Sequence, residues 1–179
     1  LQMANQRLGG IAVAIIGEEP FGKNFSERLN ASFQQQVDVK TSKCNPELIP
    51  AIIVEMTVER PAGGGQSRAS TIATLLGCDK PSALRFDVAA SKRKGVQLSQ
   101  RLVDLLELKV GDPVVLRVNE RSAVPSDMPL GSRQSSSLSR REILTATLPP
   151  GSVGDFSLSS TEPPAGVALV SLTLAEELL

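Results

Sequence analysis

The chain has no histidine, no tryptophan and no tyrosine, and its only aromatic residues are five phenylalanines. Without histidine it cannot form a Ser-His-Asp triad, a Cys-His dyad or a zinc site with imidazole ligands. Of the residue types that dominate protein-interaction hot spots, only arginine is left. No spacing of Asp, Glu, Lys or Ser identifies a catalytic site. We therefore expect a protein that is not an enzyme and that uses no cofactor and no metal.

Cysteine and long apolar runs are also scarce. Cys44 and Cys78 are too few for a closed zinc site. They either form one disulfide, which suits the cell envelope, or remain buried free thiols, which suits the cytoplasm. No apolar run reaches the roughly 18–20 residues that span a bilayer, so no transmembrane segment is predicted. The sequence leaves the compartment open between the cytoplasm and the cell envelope.

The amino-terminal part alternates between strand and helix patterns. The apolar run at 10–16 predicts a buried strand, and Asn24 with Glu27 forms a capping-box pattern at the start of a helix. Strands at 37–41 and 52–58 complete a β-α-β-β unit over residues 1–62. After a glycine-rich connection, Ala69–Leu76 predicts a short helix that ends at Gly77.

A second unit is predicted over residues 68–120. It contains a strand at 84–90, a basic turn at 91–95 and a strand at 96–98. Ser99 is placed to cap a helix that buries three leucines: Leu102, Leu105 and Leu106. The pair Gly111-Asp112 predicts a tight turn, and Pro113 is expected at the beginning of the strand that follows.

The order Gly95-Val-x-Leu98-Ser99, Leu102, Leu105-x-x-Leu108-x-x-Gly111-Asp112-x-Val114-x-Leu116 resembles the AbrB/MazE looped-hairpin family over residues 85–118. It is also similar to the wider cradle-loop barrels, which include double-psi barrels and the amino-terminal domains of AAA unfoldases. The first group implies an intertwined homodimer whose basic loop residues touch DNA phosphates. Candidates for those contacts are Lys92, Arg93, Lys94 and Arg101. The second group implies a partner-binding barrel without DNA contact. Ser99 departs from the proline that commonly opens the helix in the DNA-binding group.

The last third begins with a serine- and proline-rich segment at 121–141, which predicts a linker or a mobile loop. Arg140 and Arg141, at the end of this segment, are candidate contacts for an acidic partner. In residues 142–179, strands at 143–148 and 167–174 either complete a sheet begun upstream or pair with another chain.

Charge is balanced over the whole chain, with 19 basic and 19 acidic residues, but residues 81–141 carry 11 basic and 6 acidic ones. Together these patterns predict an α+β protein, in which the amino-terminal β-α-β-β unit precedes a small barrel-like β region with short helices. We expect a non-enzymatic binding or assembly protein that self-associates as a homo-oligomer or engages a protein partner through β-strands. The alternative is a DNA-binding transcriptional regulator of the looped-hairpin type.

Overall fold

The computed structural model of the chain describes residues 25–36, 49–63, 67–80, 95–119, 137–157 and 166–179. The strands in these ranges are β1 (Ile52–Arg60), β2 (Ala69–Gly77), β3 (Val96–Ser99), β4 (Pro113–Asn119), β5 (Ser137–Leu148) and β6 (Val167–Val170). The helices are α1 (Phe25–Gln36), α2 (Gln100–Leu105) and α3 (Leu172–Glu176), with a 3-10 turn at Val153–Asp155.

The six strands close into a mixed barrel in the order β1-β2-β6-β3-β5-β4. Two antiparallel hairpins, β1–β2 and β4–β5, form most of its wall. Each hairpin adds one short strand in parallel, since β6 lies beside β2 and β3 lies beside β5. Antiparallel contacts of β3 with β6 and of β1 with β4 complete the closure. The expected barrel-like β region with short helices is therefore confirmed.

The barrel is filled by the apolar side chains that alternate along its strands. Met56 and Val58 of β1 and Leu116 of β4 are among the buried side chains of this core. A second, smaller cluster around Phe156 packs against β2 and β6, where it includes Leu76 and Leu169. With a single phenylalanine among the buried residues, branched aliphatic side chains supply nearly all of the apolar burial that stabilises the described part of the chain.

Two similar sequences lead into the helices at the two ends of the barrel. Gly95-Val-x-Leu precedes Ser99-x-x-Leu-x-x-x-Leu106, and Gly166-Val-x-Leu is followed, after one extra residue, by Ser171-x-x-Leu-x-x-x-Leu178. In each segment a strand ends at the serine or one residue before it, a short helix follows, and the two leucines are buried. Together with the matching hairpins, this repeat gives the barrel two halves of the same design.

Part of the amino-terminal prediction lies inside the described ranges. The helix is present as α1, and the strand at 52–58 is present as β1. This strand pairs with β2 and β4, however, so it belongs to the barrel. The other two strands expected for that unit, at 10–16 and 37–41, lie outside the described residues. The β-α-β-β unit over residues 1–62 therefore stays a prediction.

One expected helix and two expected boundaries are wrong. Ala69–Gly77 forms strand β2 and not a helix that ends at Gly77, because it pairs along its whole length with β1. The last strand stops at Val170, and Ser171 then caps helix α3. Strand β5 begins at Ser137, so the last residues of the segment expected as a linker lie in the barrel wall. The two carboxy-terminal strands complete a sheet begun upstream, as one of the two expectations proposed.

Candidate functional site

The structure separates the basic residues that the sequence singles out. Lys92, Arg93 and Lys94 lie outside the described residues. Arg101 is exposed on helix α2, whereas Arg140 and Arg141 lie on strand β5. The candidates in the described ranges therefore belong to different surfaces, and each candidate contacts a different set of residues.

Arg140 and Arg141 point to opposite faces of β5, as consecutive strand residues do. The guanidinium of Arg140 pairs with Glu142 at 2.8 Å and with Glu177, which follows helix α3. This arginine thereby connects β5 to the carboxy-terminal helix. Arg141 has a different environment: it is exposed, opposite Val115 of β4, and makes no ion pair within the described part of the chain.

Arg141 belongs to a surface with two other arginines on the outer wall of the barrel. Arg117 of β4 lies diagonally from it, since Arg117 is opposite Ser139. Arg68 lies just before β2, on the far side of β1. Because paired residues of an antiparallel sheet share one face, all three arginines lie on the outer face of the sheet. There they surround the carboxy-terminal end of β1. We call Arg68, Arg117 and Arg141 the arginine face.

Glu59 organises the arginine face from its centre. Its carboxylate is 2.5 Å from the guanidinium of Arg68 and 3.4 Å from that of Arg117. The Glu59 side chain is only 9 % exposed, whereas Arg68 is 62 % and Arg117 33 % exposed. One nearly buried carboxylate thus holds one exposed and one half-buried cation in place. With Arg141 nearby, three arginines surround this single carboxylate, and an anion can approach them.

A separate groove runs beside helix α2 and has a volume of about 620 Å³. It is open to solvent and lined by Gln100, Arg101, Asp104, Leu105, Leu148, Pro150 and Asp155. Gln100 donates a hydrogen bond to Asp104 at 2.7 Å, and Asp155 accepts one from the backbone of Gly151 at 2.6 Å. The expected burial of Leu105 is wrong: Leu102 and Leu106 are in the core, but Leu105 is 61 % exposed at the groove.

Cys78 is a buried free thiol, and Cys44 lies outside the described residues. Burial raises the pKa of the Cys78 thiol, and the nearby Asp79 carboxylate adds to this effect, while a backbone hydrogen bond at Lys80 opposes it. This thiol is therefore protonated at neutral pH and is a poor nucleophile. Within the described ranges no three Cys, Asp or Glu side chains come close enough to hold a metal ion.

Sequence reasoning missed Arg68, Arg117 and Glu59, because it cannot tell which strands become neighbours.

No protein-family model matches the chain, and no curated protein matches it. The likeness of residues 85–118 to looped-hairpin and cradle-loop proteins therefore stays a prediction. None of the helices that the structure describes is both long and apolar enough to cross a bilayer.

Proposed function

We propose that this protein is a non-enzymatic binding protein that engages an acidic protein partner through the outer face of its β-strands. The observation that carries the proposal is the arginine face, in which three arginines of three barrel segments surround one nearly buried carboxylate. Arginine suits this role because its planar guanidinium binds carboxylates in a bidentate way and is weakly hydrated.

The outer face of the barrel wall is the surface that we propose for the partner. Closure gives each strand a neighbour on both sides, although β1 pairs with β4 only over Thr57–Glu59 and β2 with β6 only over Thr74–Gly77. Side chains on the outer wall remain available. The charge of the arginine face then selects acidic partners and accelerates their encounter, and this attraction weakens as salt is added.

Binding of a short, fluorescent polyglutamate peptide, followed by anisotropy at low ionic strength, tests the proposal. We expect salt-sensitive binding, and we expect Arg141→Glu to raise the dissociation constant roughly fivefold or more. Lys109→Glu is the matched control, since it makes the same charge change at an exposed residue outside the arginine face. An equal loss in both variants, or no binding by the unmodified protein, would overturn the proposal.

The DNA-binding alternative gains less from the described residues. The outer wall also carries the exposed carboxylate of Glu55 on β1, which repels a phosphate backbone as it repels an acidic segment that lies along β1. Three arginines release few counterions, so nonspecific affinity for DNA should be low. A mobility shift with a mixed-sequence duplex separates the two functions: tighter binding of the duplex than of polyglutamate, with a steep salt dependence, would favour the regulator.

Self-association is a second candidate, and the groove beside α2 favours it. Leu105 supplies an exposed apolar side chain, and the groove carries both Arg101 and the carboxylates of Asp104 and Asp155. A patch with both signs of charge can complement itself across a two-fold axis. Light scattering over a range of protein concentrations should show a weak dimer that Leu105→Glu abolishes. A monomer at every concentration would exclude this mode of assembly.

A further inference from the structure

The arginine face continues into an exposed apolar residue two strands away. Ser139 of β5, Arg117 of β4, Thr57 of β1 and Ile72 of β2 form one row across the outer wall, since each is the cross-strand partner of the next. Ile72 is 54 % exposed although it lies in a regular strand. A partner that covers the row would meet positive charge at one end and an apolar side chain at the other.

The spacing along this row fits a helical partner. Neighbouring strands lie about 4.8 Å apart, so Arg117 and Ile72 are separated by roughly 10 Å of sheet. Two turns of an α-helix rise about 10.8 Å, and residues two turns apart share one face. Same-face residues of an extended peptide repeat near 6.7 Å, so they fall either short of this separation or beyond it.

The charges around the row set the direction in which a partner can lie. Glu55 is exposed on the same outer face of β1, two residues before Thr57. An acidic segment lying along β1 would approach this carboxylate, whereas one lying across the strands would pass from Arg141 and Arg117 to Ile72. Glu59 offers less repulsion, because its charge is shared with Arg68 and Arg117.

We propose that the partner of the arginine face is an acidic amphipathic helix that lies across β5, β4, β1 and β2. Its carboxylate binds Arg117, with Arg141 beside it, and an apolar side chain two turns further along packs on Ile72. This inference rests on the proposed function, because it assigns the structure of the acidic partner that this function requires. Ile72 also favours a protein partner over a nucleic acid, since the charged phosphate groups gain nothing from an aliphatic contact.

Two helical, alanine-rich peptides of the same composition test this assignment. In the first, glutamate and leucine are two turns apart on one face; in the second, the leucine is moved to the opposite face. We expect the first peptide to bind roughly fivefold more tightly, as burial of part of an isoleucine allows. Ile72→Ser should remove this preference and leave the binding of polyglutamate unchanged.

The outcomes separate this inference from the function on which it rests. Equal affinity of the two helical peptides, while polyglutamate still binds and Arg141→Glu weakens it, would overturn the helical partner alone. Absence of binding by any acidic peptide would overturn both proposals. Ile53→Ser is the control for a general loss of apolar surface. It makes the same change at an exposed isoleucine of β1 that lies outside the row.

Discussion

Glu59 and Arg60 show how neighbouring residues of one strand acquire opposite tasks. Glu59 faces outward and holds the arginine face, whereas Arg60 turns to the end of the barrel beneath α2. Its guanidinium donates to the carbonyl oxygens of Leu106 at 2.7 Å and Ser67 at 3.1 Å, and pairs with Glu107. Glu107 is 71 % exposed, so the two carbonyl contacts stabilise the fold more than this ion pair does.

Cys78 makes the stability of the fold depend on pH in the alkaline range. The pKa of its thiol is raised above the ordinary value of 9.0, because burial disfavours the thiolate. Above pH 9 the unfolded chain therefore loses this proton while the folded chain keeps it, and stability falls as pH rises towards the pKa of the folded state. Below that range the thiol is protonated in both states and adds no pH dependence.

We expect the free energy of unfolding to decline less steeply above pH 9 in Cys78→Ala than in the unmodified protein. Urea denaturation at a series of pH values measures both slopes. Cys44→Ala controls for the other thiol. Parallel curves for the unmodified protein and Cys78→Ala would contradict the burial effect, even if the alanine variant is less stable at every pH because it leaves a small cavity.

At the scale of elements, the two serines of the internal repeat do different work. The hydroxyl of Ser171 accepts a hydrogen bond from the backbone N–H of Leu174 at 3.2 Å and so caps α3. Ser99 occupies the same place before α2, but its hydroxyl accepts from Val167 N–H at 3.3 Å, on strand β6. Ser171 therefore stabilises a helix end, whereas Ser99 connects two neighbouring strands of the barrel wall.

Replacing each serine with alanine should reveal this difference. Ser171→Ala should lower the free energy of unfolding by about 1 kcal/mol, the usual contribution of a helix cap. Ser99→Ala should cost about 2 kcal/mol, because it leaves the buried N–H of Val167 without an acceptor. Chemical denaturation of the two variants gives the comparison. A larger loss for Ser171→Ala than for Ser99→Ala would show that the roles are reversed.

Elements defined by local signals could be predicted from the sequence, and those defined by distant partners could not. The turn at Gly111 is predictable because its φ of +101° suits glycine, and the Asp112 carboxylate accepts from Lys109 N–H at 2.8 Å. The sequence predicts a helix for strand β2 because its residues also suit a helix. Pairing with β1 makes this segment a strand instead. Of the candidate site, Arg141 was identified, but its neighbours Arg68 and Arg117 become adjacent only when the barrel closes.

At the scale of the whole molecule, we expect the barrel to fold as one cooperative unit although its halves repeat a design. The β1–β2 hairpin depends on β4 and β6 for its remaining neighbours. Helix α3 packs against the end of β2 so closely that a Cβ atom added to Gly77 would lie 2.3 Å from the Cβ of Ala175. An isolated two-stranded hairpin is at best marginally stable in water.

A peptide of residues 49–80 should therefore be unstructured alone and should fold when mixed with a fragment of residues 95–179. Circular dichroism would show more strand signal in the mixture than in the sum of the separate spectra. Met56→Asp in the peptide, which places a charge in the core, should prevent this gain. A peptide that folds by itself would contradict the dependence of the hairpin on the rest of the barrel.

Strand β6 lies between β2 and β3 in the barrel, yet it follows both of them in the chain by a long interval. During synthesis the ribosome therefore releases two strands whose shared neighbour has not yet been made. The backbone amides and apolar side chains of these two strands stay unpaired, and can contact other strands, until Val167–Val170 emerges. Since such distant pairings also close slowly, the timing of β6 should govern both how fast this protein folds and how often it aggregates on the way.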